Sequence, residues 1–183
     1  TGEFLAFVDP DDYVTPDYVA RMLDRCLLDD ADVCVCNFTF EFSSGLKVPF
    51  PLMTLRRSLT GEQAGRDSLD LLTIPVFVWN KLYRRRLFTE TGIRFPGMYY
   101  EDIAIMTQVL SQADRVSVTH KSLYFYCLRE GSITGTFTTK NLHDYLRAVE
   151  IIRDFIYDSG RWQEWGRPYL GFLLHTWFMV QAE

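Results

Sequence analysis

Three carboxylates stand close together near the start of the chain, directly after an apolar run. Asp9, Asp11 and Asp12 follow the segment at 4–8, whose sequence is FLAFV. Carboxylates so close repel one another, and a divalent cation relieves that repulsion. Mg²⁺ and Mn²⁺ prefer oxygen ligands and commonly bind through one or two carboxylates together with the phosphates of a substrate. The pattern predicts a metal site; the alternative is a solvated turn in which one Asp caps the next helix.

The apolar run in front of these carboxylates has the pattern of a buried strand. An uninterrupted apolar segment bounded by turn residues favours a strand covered on both faces, as in a parallel sheet. Pro10 has no backbone N–H to donate, so the strand must end before it. The carboxylates then lie at the carboxyl end of the strand, where open α/β sheets bind ligands. Thr15 and Pro16 fit the N-cap and the first residue of the next helix, which leaves the carboxylates available for another role.

A second acidic pair, Glu101 and Asp102, follows a segment at 92–100 that contains two glycines and a proline. The pair begins a helix predicted to extend to about residue 112. Carboxylates in a first helical turn are favoured by the helix dipole, and that alone accounts for them. The functional alternative is that one of them is a general base behind a loop that closes over it. Spacing alone leaves both interpretations open.

Composition restricts the class of protein. The chain has 183 residues, of which 48% are hydrophobic, and this is enough for one domain with a core. A net charge of −5 argues against a nucleic-acid-binding protein, which needs a basic face. No apolar stretch in the sequence is long enough to cross a bilayer. The four cysteines include no CxxC pair, and we expect reduced thiols in a cytoplasmic protein.

Hydrophobic periodicity and turn residues predict an α/β fold. Helices are expected at 16–28, 60–72, 81–88, 101–112 and 141–157. Strands are expected at 4–8, 33–42, 46–50, 116–118 and 123–126, with a polar loop at 129–135. The aromatic segment at 161–183 is expected to be a helix that packs on the domain, on a partner subunit or on a membrane surface. The three arginines at 84–86 are either a solvated helix face or a cation group for a diphosphate or an anionic acceptor.

Three segments, taken in order, resemble the family 2 glycosyltransferases. The segment at 2–19, GEFLAFVDPDDYVTPDYV, is similar to the strand and Asp-x-Asp motif that bind metal in that family. The segment at 78–102, VWNKLYRRRLFTETGIRFPGMYYED, resembles the acceptor side, where an Asn-Lys-Leu-Tyr element leads to a Glu-Asp pair. The segment at 123–134, LYFYCLREGSIT, resembles the strand that usually follows.

The resemblance implies a partial GT-A fold, in which helices flank a mixed sheet and the C-terminal end is helical. It implies metal-dependent sugar transfer from a nucleotide diphosphate, with a UDP-sugar as the expected donor, to a glycan or lipid-linked acceptor hydroxyl with inversion. Residues 1–157 would form the C-terminal portion of the GT-A domain, and 158–183 a helical extension. By analogy with the family, we expect a role in surface polysaccharide synthesis, in the cytoplasm or at the inner face of the membrane.

Residue roles are carried over from the family by position. Asp11 would bind Mn²⁺ or Mg²⁺, with Asp9 against the metal or the ribose of the donor and Asp12 beside them. Asp102 would be the catalytic base, with Glu101 next to it. The other expected site residues would form the wall near the sugar: Trp79, Asn80 and Lys81.

Family members carry a nucleoside-binding half in front of the Asp-x-Asp strand, and this sequence has no counterpart of it. We therefore expect either a portion or short variant of a larger enzyme, or a non-catalytic relic that acts as a binding or oligomerising module. An apolar first strand with an exposed edge would favour a homodimer. A third interpretation is a metal-dependent phosphotransferase or hydrolase that uses the same acidic cluster.

Overall fold

The computed structural model describes residues 2–70, 72–128 and 138–181, with side chains up to 175. In these ranges helices pack against one mixed sheet, as the α/β prediction requires. The strands are β1 (Phe4–Ala6), β2 (Tyr13–Val14), β3 (Val33–Phe42), β4 (Lys47–Pro49), β5 (Ser58–Thr60), β6 (Lys81–Arg84) and β7 (Arg115–Leu128). The helices are α1 (Tyr18–Asp29), α2 (Gly61–Asp67), α3 (Arg86–Thr89), α4 (Glu101–Ser111), α5 (Thr139–Asp158) and α6 (Trp162–Gln181).

The sheet is built around a long parallel pair, β3 and β7. Its strand order is β1-β6-β3-β7-β2, with β4 paired to β3 and β5 paired to β7. The strand β6 runs antiparallel to both β1 and β3. Therefore β1, β3 and β7 share one direction, and their carboxyl ends lie at the same edge of the sheet. This edge receives the acidic segment that follows β1.

The first strand differs from the prediction. β1 covers only Phe4–Ala6, and Val8 beyond it is 47% exposed. The prediction of a strand covered on both faces is wrong for the described residues, because Phe4 and Leu5 are only partly buried and Ala6 is exposed. The strand also lies at the edge of the sheet, where it pairs only with β6. Part of the apolar pattern serves a different contact, since the ring of Phe7 packs edge-on against Phe88 and Phe95.

The helix predicted at 81–88 is also wrong. These residues form the strand β6 and then the short helix α3. The backbone of β6 pairs with β1 on one side and β3 on the other, with Leu82 opposite both Ala6 and Cys34. Pairing with two strands therefore overrides the local helical pattern.

The arginines at 84–86 lie at the amino end of β3, across the sheet from the acidic segment. Arg86 donates to both carboxylate oxygens of Asp32, at 3.2 and 2.8 Å, and to Asp114 at 2.7 Å. The Nε of Arg84 lies 3.4 Å from the Asp32 carboxylate. The hypothesis of a cation group for a diphosphate is therefore corrected: Arg84 and Arg86 bind carboxylates of their own chain.

Most of the other predicted elements are present. Those confirmed are the strand at 33–42, the return strand within 46–50, and the helices at 101–112 and 141–157. The helix expected at 161–183 is present as α6 over the part of it that the structure describes. The helix predicted at 60–72 has the expected capping box, in which Thr60 and Gln63 exchange side-chain and backbone hydrogen bonds, but it ends at Asp67.

The start of α1 is corrected as well. The helix begins at Tyr18 with Asp17 as its N-cap, and no side chain caps it. Thr15 lies two residues before this N-cap: its N–H donates to the carbonyl of Leu123 at 2.9 Å, and its own carbonyl accepts from the N–H of Tyr18 at 3.0 Å. The two strands predicted at 116–118 and 123–126 are one strand, β7, with a bulge between them. The loop predicted at 129–135 lies outside the described residues.

The aromatic segment after residue 160 packs inward. Trp165, Tyr169 and Phe172 of α6 are buried in one cluster with Ile152 and Ile156 of α5. Within the part of the chain that the structure describes, no helix is both long and apolar enough to cross a membrane. All four cysteines are free thiols, as predicted.

The buried carboxylate of Asp32 provides a stability test of this fold. It is 4% exposed and also accepts a hydrogen bond from the backbone N–H of Asp114 at 2.7 Å. We expect Asp32→Ala to lower the free energy of unfolding by about 2 to 3 kcal/mol, because a buried acceptor is lost and its donors are left without a partner. Urea denaturation monitored by circular dichroism measures this change.

The control is Asp114→Ala, which removes a second carboxylate from the same arginine, Arg86. The Asp114 side chain is 88% exposed, so its loss should cost less than about 1 kcal/mol. Equal effects of the two substitutions would contradict the structural role given to Asp32.

Candidate active site

The acidic segment between β1 and β2 is fixed to the end of β7 by hydrogen bonds. The Tyr124 hydroxyl donates to one carboxylate oxygen of Asp12 at 2.7 Å, and the backbone N–H of Cys127 donates to the other at 2.8 Å. The same hydroxyl accepts from the backbone N–H of Asp9 at 3.1 Å. The segment also closes on itself, since the N–H of Asp12 donates to the carbonyl of Asp9 at 3.1 Å. Both oxygens of Asp12 are therefore engaged in holding the segment in place.

Tyr124 is itself held by aromatic contacts below the acidic segment. Its ring stacks on Trp79, with ring centroids 4.3 Å apart, and Tyr18 packs edge-on at 6.3 Å. The Tyr18 hydroxyl donates to the carbonyl of Trp79 at 2.8 Å, which fixes the backbone on which Trp79 sits. Burial and the bond to Asp12 raise the pKa of Tyr124, so its hydroxyl stays protonated and able to donate.

The negative charges of the segment act on one another and on the start of α4. Burial raises the pKa of Asp9, and the nearby carboxylates of Asp12, Asp11 and Glu101 raise it further. Glu101 is remote from Asp9 in sequence, so its influence places the two acidic segments in one electrostatic neighbourhood. Local sequence patterns do not relate these two segments, and only the family resemblance placed them in one site.

The second acidic pair is presented by a constrained backbone. Tyr100, directly before Glu101, has φ 61° and ψ 31°, the left-handed region that a residue with a bulky side chain rarely adopts. Its ring packs edge-on against Tyr145 of α5 at 5.4 Å. Strain of this kind persists only where the surrounding contacts impose it, and it is common at functional sites. It turns the chain sharply, so that α4 starts with its two carboxylates.

Asp102 is the carboxylate with the most strongly altered acidity at this site. Burial raises its pKa from 3.8 to about 6, and the charge of Glu101 adds to the effect. A hydrogen bond from the backbone N–H of Ile103, at 2.8 Å, and the charge of Lys81 act in the opposite direction. A carboxylate with a pKa near 6 is a stronger base than an exposed one and is still mostly ionised at neutral pH.

Three predicted site residues, Trp79, Asn80 and Lys81, lie in the interior below this site. The Lys81 ammonium donates to the carbonyls of Pro75 and Phe77, at 2.5 and 2.6 Å, and to the Asn80 side chain at 2.7 Å. Burial lowers the pKa of Lys81 to about 7, while the charge of Asp102 opposes that shift. These contacts fix the segment that supports Asp102. The expectation that the three residues line the sugar site stays a prediction.

The carboxylate oxygens of the acidic segment suit a hard cation whose remaining ligands come from a substrate. Among the described residues, no group of three His, Cys, Asp or Glu side chains is arranged to hold a metal. Asp12 is engaged by Tyr124 and Cys127, Asp9 is partly buried, and Asp11 is exposed. Two carboxylates plus phosphate oxygens are a common Mg²⁺ set. The mutual repulsion at Asp9 is the feature that a cation would relieve.

Sequence analysis did not identify Tyr124 as an anchor of the site. Its signal was present in the two tyrosines at alternate positions, 124 and 126, which place both on one face of a strand. The partner of that face depends on the crossing of the segment at 7–12 over the end of β7, and local periodicity carries no information about such a crossing.

The raised pKa of Asp102 makes a prediction about stability with a defined sign. Because the pKa of Asp102 is about 6 in the folded state and 3.8 in its absence, the folded state binds this proton more tightly than the unfolded chain does. The stability that the bound proton contributes is present at low pH and is lost as the pH rises through about 6. Asp102→Asn stays neutral and keeps an acceptor for Ile103. We expect it to raise the free energy of unfolding at pH 8 by about 3 kcal/mol and to change it little at pH 4.

Urea denaturation at the two pH values measures this difference. Asp24→Asn, at an exposed position of α1, is the charge-matched control and should change stability by less than about 0.5 kcal/mol at either pH. An Asp102→Asn protein that is less stable than the wild type at pH 8 would contradict a destabilising buried charge.

Comparisons with known proteins give a consistent assignment. The family model described as "Glycosyl transferase family 2" matches residues 1–92. The uncharacterized glycosyltransferase YibD of Escherichia coli (strain K12) is 31% identical over 160 residues, which cover 84% of this chain and 46% of that protein. The putative glycosyltransferase EpsH of Bacillus subtilis (strain 168) is 28% identical over 96% of this chain and 52% of its own length.

A solved structure supports the fold. The crystal structure of Staphylococcus aureus TarS 1-349 in complex with UDP-GlcNAc matches with a TM-score of 0.62 and 23% identity, over 83% of this chain and 42% of that one. The sheet and its flanking helices are thus of the GT-A type. The chain spans about half the length of the curated relatives it matches. The family model matches half of this chain, and a glycosyltransferase is 31% identical over 84% of it. This chain therefore belongs to glycosyl transferase family 2.

Proposed function

We propose that this site takes part in inverting transfer of a sugar from a nucleotide-diphosphate donor to an acceptor hydroxyl. The observation that carries the proposal is that two acidic segments lie within electrostatic range of each other: the charge of Glu101 adds to the raised pKa of Asp9, and Asp102, next to Glu101, has a pKa of about 6. One segment suits a metal-assisted diphosphate leaving group and the other suits a base. Either acidic segment alone is a common feature of proteins. The transfer requires both a metal-assisted leaving group and a base, and the two segments together would supply them.

Asp102 supplies the base in this proposal. Its carboxylate accepts the proton of the acceptor hydroxyl as that oxygen forms a bond to the anomeric carbon of the donor sugar. The bond between that carbon and the diphosphate oxygen breaks on the opposite face, so the configuration inverts. Near neutral pH a base of pKa about 6 is mostly ionised yet retains affinity for the proton. Glu101 adds negative charge beside Asp102, which strengthens it as a base.

Asp11 and Asp9 would hold the divalent cation, with Mn²⁺ and Mg²⁺ as the proposed ions. When bound, the cation supplies Lewis-acid stabilisation of the negative charge that develops on the diphosphate. Asp12 acts through position, because its bonds to Tyr124 and Cys127 keep the other two carboxylates at the sheet edge. Trp79 supports Tyr124 from below by stacking.

The donor and setting are proposed from the comparisons. The TarS structure contains UDP-GlcNAc, which supports a UDP-sugar donor for this chain. The acceptor would be a glycan or a lipid-linked glycan, in surface polysaccharide synthesis at the cytoplasmic side of a membrane. Because the chain spans about half the length of its relatives, we propose that the contacts to the nucleoside come from outside these 183 residues, while the contacts to the metal and the diphosphate lie within them.

A second candidate function is a binding or oligomerising module. The observation that favours it is the outer edge of β1, which pairs with no other strand among the described residues. Beside this edge lies an apolar groove of about 330 Å³ lined by Leu5, Phe7, Phe88, Ile93 and Phe95, among others. An unpaired edge with an apolar groove attracts another strand. Sedimentation velocity distinguishes a homodimer from a monomer.

Binding of the donor nucleotide and metal tests the proposal first. We expect UDP with Mn²⁺ at saturating concentration to raise the melting temperature by roughly 5 °C, because a ligand that binds only the folded state stabilises it. Asp11→Ala should remove the shift, while Asp24→Ala, an exposed Asp on α1, should keep it. Absence of a shift in the wild type would contradict a donor site formed by this chain alone and would favour the module.

Turnover tests the role of Asp102. Hydrolysis of a UDP-sugar, with water in place of the acceptor, needs the same base. We expect Asp102→Asn to lower kcat about 10²- to 10⁴-fold with a small change in KM, and the wild-type rate to rise with pH to a plateau above about 6 as Asp102 ionises. Asp24→Asn should behave as wild type. A variant with unchanged kcat would contradict the assignment of the base.

A further inference from the structure

A gap interrupts strand pairing along the outer edge of β7. The strand β5 pairs with β7 at 115–117, and the N–H of Val118 still donates to the carbonyl of Arg57 at 2.9 Å. Pairing resumes only at Tyr124 and Phe125, opposite β2. On the inner edge the register with β3 shifts in the same place, so β7 carries a bulge between Thr119 and Ser122. Bulges re-aim side chains and are frequent beside functional sites.

The bulge contributes two side chains to a cationic groove. A cavity of about 350 Å³ is lined by Arg25 of α1, Arg57 before β5, and the bulge residues His120 and Lys121. The His120 ring nitrogen Nε2 lies 2.8 Å from the carbonyl of Thr54. Since a carbonyl only accepts, Nε2 carries the hydrogen, and this bond fixes the ring at the wall of the groove.

The cations of the groove are poorly balanced by the chain itself. Among the described residues, neither Arg57 nor Lys121 forms an ion pair. Arg25 pairs with Asp29 at 2.8 Å, but its Nε is buried without a hydrogen-bond partner. A buried donor left unsatisfied is costly and rare. This concentration of positive charge stands in a chain whose net charge is −5.

We propose that this groove binds a phosphate group carried by a ligand. Guanidinium groups match phosphate oxygens with paired, charge-assisted hydrogen bonds, and an ammonium group adds a further charge. Arg25 and Arg57 supply the guanidinium groups, and Lys121 supplies the ammonium. The phosphate belongs either to a soluble ligand or to a lipid headgroup, since both present the same chemistry.

The inference does not depend on the proposed transferase activity. None of the acidic residues at 9–12 or 101–102 lines the groove, and the binding invoked needs neither a divalent cation nor a sugar donor. Its test is therefore carried out with chelator present, so that failure of this inference and failure of the proposed function are separate results.

The experiment uses the whole chain in low-salt buffer with EDTA. Inorganic pyrophosphate is titrated in by isothermal calorimetry, and liposome co-sedimentation compares vesicles of phosphatidylcholine with vesicles that contain phosphatidylglycerol. We expect saturable binding to at least one of the two phosphate probes. The double variant Arg57→Gln/Lys121→Gln should weaken that binding at least about tenfold, since each charged hydrogen bond is worth roughly a factor of ten.

The matched control is Arg85→Gln/Arg147→Gln, which changes the net charge equally at two exposed positions outside the groove. It should bind as the wild type does, and thermal unfolding checks that both variants fold. If the groove variant loses pyrophosphate binding, the phosphate belongs to a soluble ligand. If it loses only the binding to vesicles with phosphatidylglycerol, the phosphate belongs to a lipid headgroup. No binding to either probe, or equal weakening in both double variants, would overturn the inference.

Discussion

The parallel pairing of β3 with β7 is the constraint on which the rest of this structure depends. It extends along the whole of β3, from Val33 opposite Val116 to Phe42 opposite Leu128. Because β1 runs in the same direction, the acidic segment that follows β1 arrives at the edge where β7 presents Tyr124 and Cys127. The site is therefore a consequence of strand direction, as in other open α/β sheets.

The site concentrates charge that the fold itself does not neutralise. Burial and like charges raise the pKa of Asp9, and burial raises that of Asp102 to about 6. The chain supplies hydrogen bonds to Asp12 and Asp102 but leaves the electrostatic repulsion in place. Structures retain such unfavourable arrangements where a ligand or a reaction uses them, and a divalent cation with a diphosphate is the combination that would offset this one. The strained Tyr100 backbone belongs to the same pattern.

Sequence analysis predicted the elements with strong local signals and missed those decided by tertiary contacts. The alternation at 33–42 and the Thr60–Gln63 capping box are local, and both are confirmed. The segment at 81–88 has a helical pattern, but pairing with two strands makes its first half β6. Both acidic segments were found from residue type and spacing. Their proximity was implied only by family resemblance, because no local rule relates residue 9 to residue 101.

The central proposal is that the two acidic segments face one site, in which Asp9 and Asp11 hold a divalent cation close to the proposed base, Asp102. Paramagnetic broadening by substoichiometric Mn²⁺ in a ¹⁵N–¹H NMR spectrum tests it directly, since the effect falls steeply with distance from the ion. The account predicts that amide signals at 9–13 and at 100–103 broaden together, and that Asp11→Ala abolishes both effects while leaving the rest of the spectrum intact. Broadening confined to one segment, or unchanged in Asp11→Ala, would contradict a shared site.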